Sequence, residues 1–91
     1  MEEFFVYILK SELGNYYIGQ TANLQDRLKR HISNRSKYTK NKGDWKLVIS
    51  FPCKTRSEAV KLEQKLKKMK NSLKAIEYLK QLTQSISKLS Y

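Results

Sequence analysis

The apolar positions of this chain follow two different periods in turn. Residues 4–10 (Phe-Phe-Val-Tyr-Ile-Leu-Lys) are almost continuously aromatic and β-branched, which predicts a strand. Leu13-Gly14-Asn15 supplies turn residues, and Tyr16-Tyr17-Ile18-Gly19 reads as the returning strand of a hairpin. Gly19 ends that strand where a bulkier side chain would block close approach. Asn23 is suited to N-cap a helix over residues 24–33, in which Leu24, Leu28 and Ile32 recur every four residues as a buried stripe. At ~100° per residue, Arg27 and His31 share one flank of that stripe, one turn apart. Lys29 and Arg30 point away.

Residues 33–44 are polar and basic with no apolar period, and read as a loop. Strand character resumes from Trp45 to Phe51, and Pro52 is expected to stop it. Thr55 and Glu58 match a capping box. The helix they open carries Ala59, Leu62, Leu66 and Met69 inward, with Glu63 on the rim of that stripe. Asn71-Ser72 breaks or bends it. Leu73, Ile76, Leu79, Leu82, Ile86 and Leu89 then continue a helical period whose serine-rich end is expected to fray. The order is β-β-α-β-α-α. It predicts an α/β (α+β) fold, a small three-stranded antiparallel sheet flanked by helices, with at least one face of the sheet buried. One domain is expected over residues 1–83, with 84–91 as a tail or frayed helix end.

Composition narrows the class. Ninety-one residues, 40% of them hydrophobic, suit a single domain with a modest core. No apolar run approaches the ~18 residues of a membrane span. Met1-Glu2-Glu3 is acidic where a secretory signal would be basic. Cys53 is the lone cysteine, and no Cys/His spacing suits zinc. These features predict a cytoplasmic protein with no membrane association. Nineteen Lys and Arg against eight Asp and Glu give a net charge of +11. That excess attracts polyanions, nucleic acid first among them, through a salt-sensitive term independent of sequence.

Taken singly, the candidate residues keep two readings. Tyr7 and Tyr17 are residue types that strands favour anyway. Arg27 and His31 fit a solvated helix rim. Glu63 stands one turn before Lys67, a good orientation for a helix ion pair. Glu58 reads as a capping residue and Trp45 as core.

Their order along the chain resembles the GIY-YIG nuclease superfamily, and in particular its small stand-alone bacterial members. Phe5-Val6-Tyr7 stands where the family writes Gly-Ile-Tyr, and Tyr17-Ile18-Gly19 matches Tyr-Ile-Gly. Leu24-x-x-Arg27-Leu28-x-x-His31 follows on the next helix. Ser36-Lys37-Tyr38-Thr39, Gly43-Asp44-Trp45-Lys46-Leu47-Val48 and Ala59-x-x-x-Glu63 complete the series, so the likeness spans residues 4 to about 80. There are departures. Phe5 replaces the first glycine, Val6 replaces isoleucine, and Gln20 stands where some members carry a lysine that would help lower a tyrosine's pKa.

The resemblance implies a metal-dependent endonuclease acting on DNA, structured or damaged DNA included, with Mg²⁺ (or Mn²⁺) and no small-molecule cofactor. It assigns Glu63 to the metal and Arg27 to the scissile phosphate. Tyr7 and Tyr17 go to the attacking water, with Tyr7 favoured as base, and His31 becomes a proton acceptor or orienter. Gly19, Lys37, Tyr38 and Lys46 are expected to contact nucleic acid, with Lys61, Lys65 and Lys68 holding the backbone. A protein partner could supply specificity. Two rival readings remain: a non-catalytic nucleic-acid-binding module that keeps the fold, and a small basic RNA-associated protein.

Overall fold

β1 (Phe4–Ser11) is the central strand, and its near-continuous apolar run is what that position requires. β2 (Tyr16–Thr21) and β3 (Trp45–Cys53) pair with it on either side, both antiparallel, giving the order β2-β1-β3. The computed structural model describes residues 3–32 and 44–89, and of 31–32 and 85–89 the backbone alone. The basic segment expected as a loop, with Lys37 and Tyr38, lies outside the described residues.

Side chains alternate across a strand, so β1 presents two different faces. Val6 and Ile8 enter a core with Cys53 that is completed by Ala59 and Leu66 of α2 (Arg56–Lys68) and by Ala75, Ile76 and Leu79 of α3 (Ser72–Leu89). Tyr7 and Leu9 enter a second core with Trp45, covered by Leu24 and Leu28 of α1 (Leu24–Ile32). Helices therefore cover both faces of the sheet, not one. Each fully buried aliphatic side chain contributes about 1.5–3 kcal/mol on this account.

Local chemistry sets the element ends. The hairpin turns through Gly14, whose φ of 85° is open to glycine at no steric cost. Ser11 closes that turn, its N–H donating to the Asn15 carbonyl at 2.8 Å and its hydroxyl accepting from the Asn15 N–H at 3.0 Å. The Asn23 side chain accepts from the Asp26 N–H at 3.0 Å and caps α1. Thr55 accepts from the Glu58 N–H at 3.1 Å while the Glu58 carboxylate accepts from the Lys54 N–H at 3.2 Å, so the capping box forms around the start of α2. The Asn71 side chain accepts from the Lys74 N–H at 3.1 Å and caps α3.

Three sequence expectations change. β2 runs on past Gly19 to Thr21, because Gln20 and Thr21 still pair with Val6 and Phe5. β3 runs through Pro52, which faces Phe5; an edge strand tolerates a residue without an N–H. Leu73 is 69% exposed and not part of the apolar stripe, which begins at Ala75. Among the described residues, no helix is long and apolar enough to cross a membrane.

Candidate active site

The site is built around Gly19. In the β1–β2 ladder Gly19 lies opposite Tyr7, and Tyr17 lies opposite Leu9, so both tyrosines share the face covered by α1. The Tyr7 ring leans across the ladder onto the space above Gly19. A Cβ built on Gly19 would stand 2.7 Å from the Tyr7 Oη, 2.8 Å from Tyr7 Cζ and 2.9 Å from a ring carbon of Tyr17. Gly19 is extended backbone, so glycine is needed here for space and not for conformation. The two phenol rings lie 6.1 Å apart between centroids and tilted by 31°.

Tyr7 is 1% exposed, whereas Tyr17 is half-buried. Burial pushes the Tyr7 phenol well above its ordinary pKa, and the neighbouring Tyr17 pushes it further. The Arg27 guanidinium opposes this. A hydrogen bond with Tyr17 and the charge of Glu63 both raise it again. Arg27 and Glu63 thus act on one phenol from two helices: Arg27 from α1 above the tyrosine face, and Glu63 from α2.

Leu24 and Leu28 explain Arg27's position. They seat α1 on Tyr7, Leu9 and Trp45, which leaves Arg27 half-buried on the flank. Arg30 instead pairs with Asp26 at 3.3 Å on the exposed side. Ala59, Leu62 and Leu66 seat α2 on the opposite core, which turns Glu63 to the rim with its side chain 19% exposed. The Lys67 ammonium lies 3.8 Å from the Glu63 carboxylate, one turn along α2.

Tyr7, Tyr17, Gly19, Arg27 and Glu63 therefore come together. His31 lies on the last turn of α1, with its side chain outside the described residues. Lys46 is exposed on the far edge strand, opposite Lys10 in the ladder, and so on the face away from the tyrosines. Lys61, Lys65 and Lys68 are exposed on α2, and Lys65 lies 4.8 Å from the centre of the Tyr78 ring.

The donor set bears on the metal. Among the described residues no three His, Cys, Asp or Glu side chains gather as a ligand group. A single half-buried carboxylate suits Mg²⁺, which keeps several of its waters and takes one or two carboxylates besides substrate oxygens.

A groove the sequence reading missed adjoins this site. It encloses about 440 Å³ and is walled by Tyr16, Tyr17 and Ile18 of β2 against Leu66, Lys67, Lys70 and the start of α3. No local sequence signal marks it, because it exists only where the α2–α3 turn meets the edge of β2.

The chain is similar to known proteins over most of its length. Residues 3–77 match the family model of the GIY-YIG catalytic domain. The UPF0213 protein OB0043 of Oceanobacillus iheyensis is 32% identical over 83 residues, covering 88% of this chain and 96% of its own. The UPF0213 protein YsiG of Lactococcus lactis is 36% identical over 93 residues, covering 87% and 89%. The UPF0213 protein BH0048 of Halalkalibacterium halodurans is 34% identical over 64 residues, covering 69% and 68%. Its solution NMR structure superposes with a TM-score of 0.46 at 33% identity over 71% of this chain and 70% of that one.

Proposed function

The chain belongs to the GIY-YIG catalytic-domain family, and from that premise we propose that it hydrolyses phosphodiester bonds in DNA with one divalent metal ion. The observation that carries the reading is the field around Tyr7. Two phenols over Gly19, one guanidinium and one rim carboxylate converge from four elements. A packed core has no need of that convergence.

Each residue has a task its chemistry suits. Glu63 would hold Mg²⁺ or Mn²⁺ together with waters and a phosphate oxygen. That ion, when bound, supplies positive charge that polarises the phosphate. Arg27, always charged and planar, offers a fork to the non-bridging oxygens, which carry the negative charge of the transition state. The attacking water must lose a proton. Although Tyr7 is favoured from sequence, its burial argues for Tyr17 as the acceptor. Tyr7, buried under α1, holds its own proton tightly. Tyr17, the more exposed of the two phenols, would give its own proton to solvent and take the water's proton on the oxygen so freed. Tyr7 is then a positioning residue and Tyr17 the base. The new bond joins water oxygen to phosphorus as the ester P–O bond breaks, and the departing sugar oxygen takes a proton from solvent.

The test is cleavage of branched, nicked and single-stranded DNA by the purified chain with Mg²⁺ or Mn²⁺. Glu63→Gln, nearly isosteric, is expected to lower the rate on the order of 10²–10³-fold, since a catalytic metal supplies several kcal/mol. Equal traces of cleavage by both proteins would mark a contaminant and leave a binding module that keeps the fold.

A further inference from the structure

The groove along the edge of β2 has no task in the chemistry above. Yet it touches the candidate active site at two residues. Tyr17 forms one of its walls and also belongs to the tyrosine pair. Lys67 forms part of the opposite wall and also pairs with Glu63. A chain of atoms lying in the groove would therefore run directly into the space beside Glu63 and Tyr17.

Its lining is one-sided in charge. Lys67 and Lys70 contribute two ammonium groups and no acidic side chain lines it. Lys70 is the more informative of the two. It follows the C-cap Met69 of α2 with φ 52°, the left-handed position that helices usually give to glycine or asparagine. Holding a lysine there costs about 1–2 kcal/mol. Lys70 is exposed and packs into no core, so fold stability does not account for that choice. Among the described residues it forms no ion pair with Glu63 or any other carboxylate. Tyr16 and Tyr17 add aromatic surface on the facing wall. The volume of about 440 Å³ lies within the ~300–1,000 Å³ range of ligand clefts.

We propose that this groove binds the nucleic-acid strand beside the cut, with Lys67 and Lys70 on its phosphates. The position relative to the cut rests on the nuclease reading; binding of the strand does not. Recognition here is of the backbone, so it is independent of sequence and strongly salt-dependent.

The experiment follows the anisotropy of a fluorescein-labelled oligodeoxythymidine through a salt series, with EDTA present. Lys67→Gln is combined with Lys70→Asn, because asparagine tolerates the left-handed backbone. The control is Lys54→Gln with Lys80→Gln, which removes the same charge from exposed sites elsewhere. Losing two phosphate contacts on a single strand should flatten the log–log salt slope by about 1.4. The control pair should leave the slope within about 0.3 of the parent, since it removes no contact. Shifts of the Lys70, Asn71 and Ser72 amides on adding the oligonucleotide would place the strand independently. Equal slopes for the groove and control variants overturn the proposal, as does a parent protein that does not bind the oligonucleotide. Because no metal is present, cleavage plays no part. A flattened slope with no cleavage under Mg²⁺ keeps the groove and removes the nuclease reading.

Discussion

Gly19→Ala is the sharpest probe of the site, because sequence rules and this structure predict opposite signs. Alanine in place of glycine in a strand ordinarily stabilises by about 0.5–1 kcal/mol, since glycine loses more freedom on folding. Here the added methyl would sit 2.7 Å from Tyr7 Oη, 2.8 Å from Tyr7 Cζ and 2.9 Å from Tyr17, where ordinary contact begins at 3.4 Å. The Tyr7 ring must move by several tenths of an ångström. It is 1% exposed and bounded by Leu9 and Trp45 in the core beneath α1, so it has little room to do so. Overpacking of that kind costs typically about 1–3 kcal/mol. In a domain of this size that lowers Tm by roughly 4–8 °C per kcal/mol. Thermal melts followed by circular dichroism read the effect. Tyr7→Phe in the same background removes the atom behind the shortest contact and should recover part of the loss, so a double-mutant cycle gives a coupling of about 0.5 kcal/mol or more. Where activity is measurable, a misplaced Tyr7 should lower it by about 10²-fold. A Gly19→Ala protein that melts at or above the parent temperature, with no coupling to Tyr7→Phe, would refute the claim that Gly19 exists to seat the tyrosine.

Two further outcomes follow. The folded protein holds the Tyr7 proton more tightly than the unfolded chain, so this group's contribution to stability is present below the ordinary phenol pKa of about 10 and is lost as pH rises above it. Melts between neutral and strongly alkaline pH should therefore fall more steeply for the parent than for Tyr7→Phe; parallel curves would show that burial does not perturb Tyr7. Lys67 competes with any cation for the Glu63 carboxylate. With the Lys67 end in solvent, the pair is worth about 1 kcal/mol, so Lys67→Met should tighten Mn²⁺ binding about 5-fold by electron paramagnetic resonance titration. Weaker binding would mean that Lys67 does not oppose the metal.

The hairpin, the capped helices and the element order were legible in the residues themselves. Continuous aromatic and β-branched residues make β1 a strand, Gly14 turns the hairpin, and Asn23 and Thr55 cap α1 and α2. Each of these is a local preference, expressed by neighbours a few residues apart. The set Tyr7, Tyr17, Arg27 and Glu63 was also legible, but only as an ordered series resembling a family. Periodicity alone put Arg27 and Glu63 on helix rims without saying which rims would meet.

Tertiary structure decided what local preference cannot. Covering both faces of the sheet buried Tyr7 and left Tyr17 half-buried, which separated two phenols that look equivalent along the chain. It turned Lys46 to the face of the sheet away from the tyrosines, because its place opposite Lys10 on β3 sets its face whatever its charge. It also made the groove at the edge of β2, where residues far apart in sequence become opposite walls. Burial and proximity are properties of packing between elements, so the residues of any one element do not contain them.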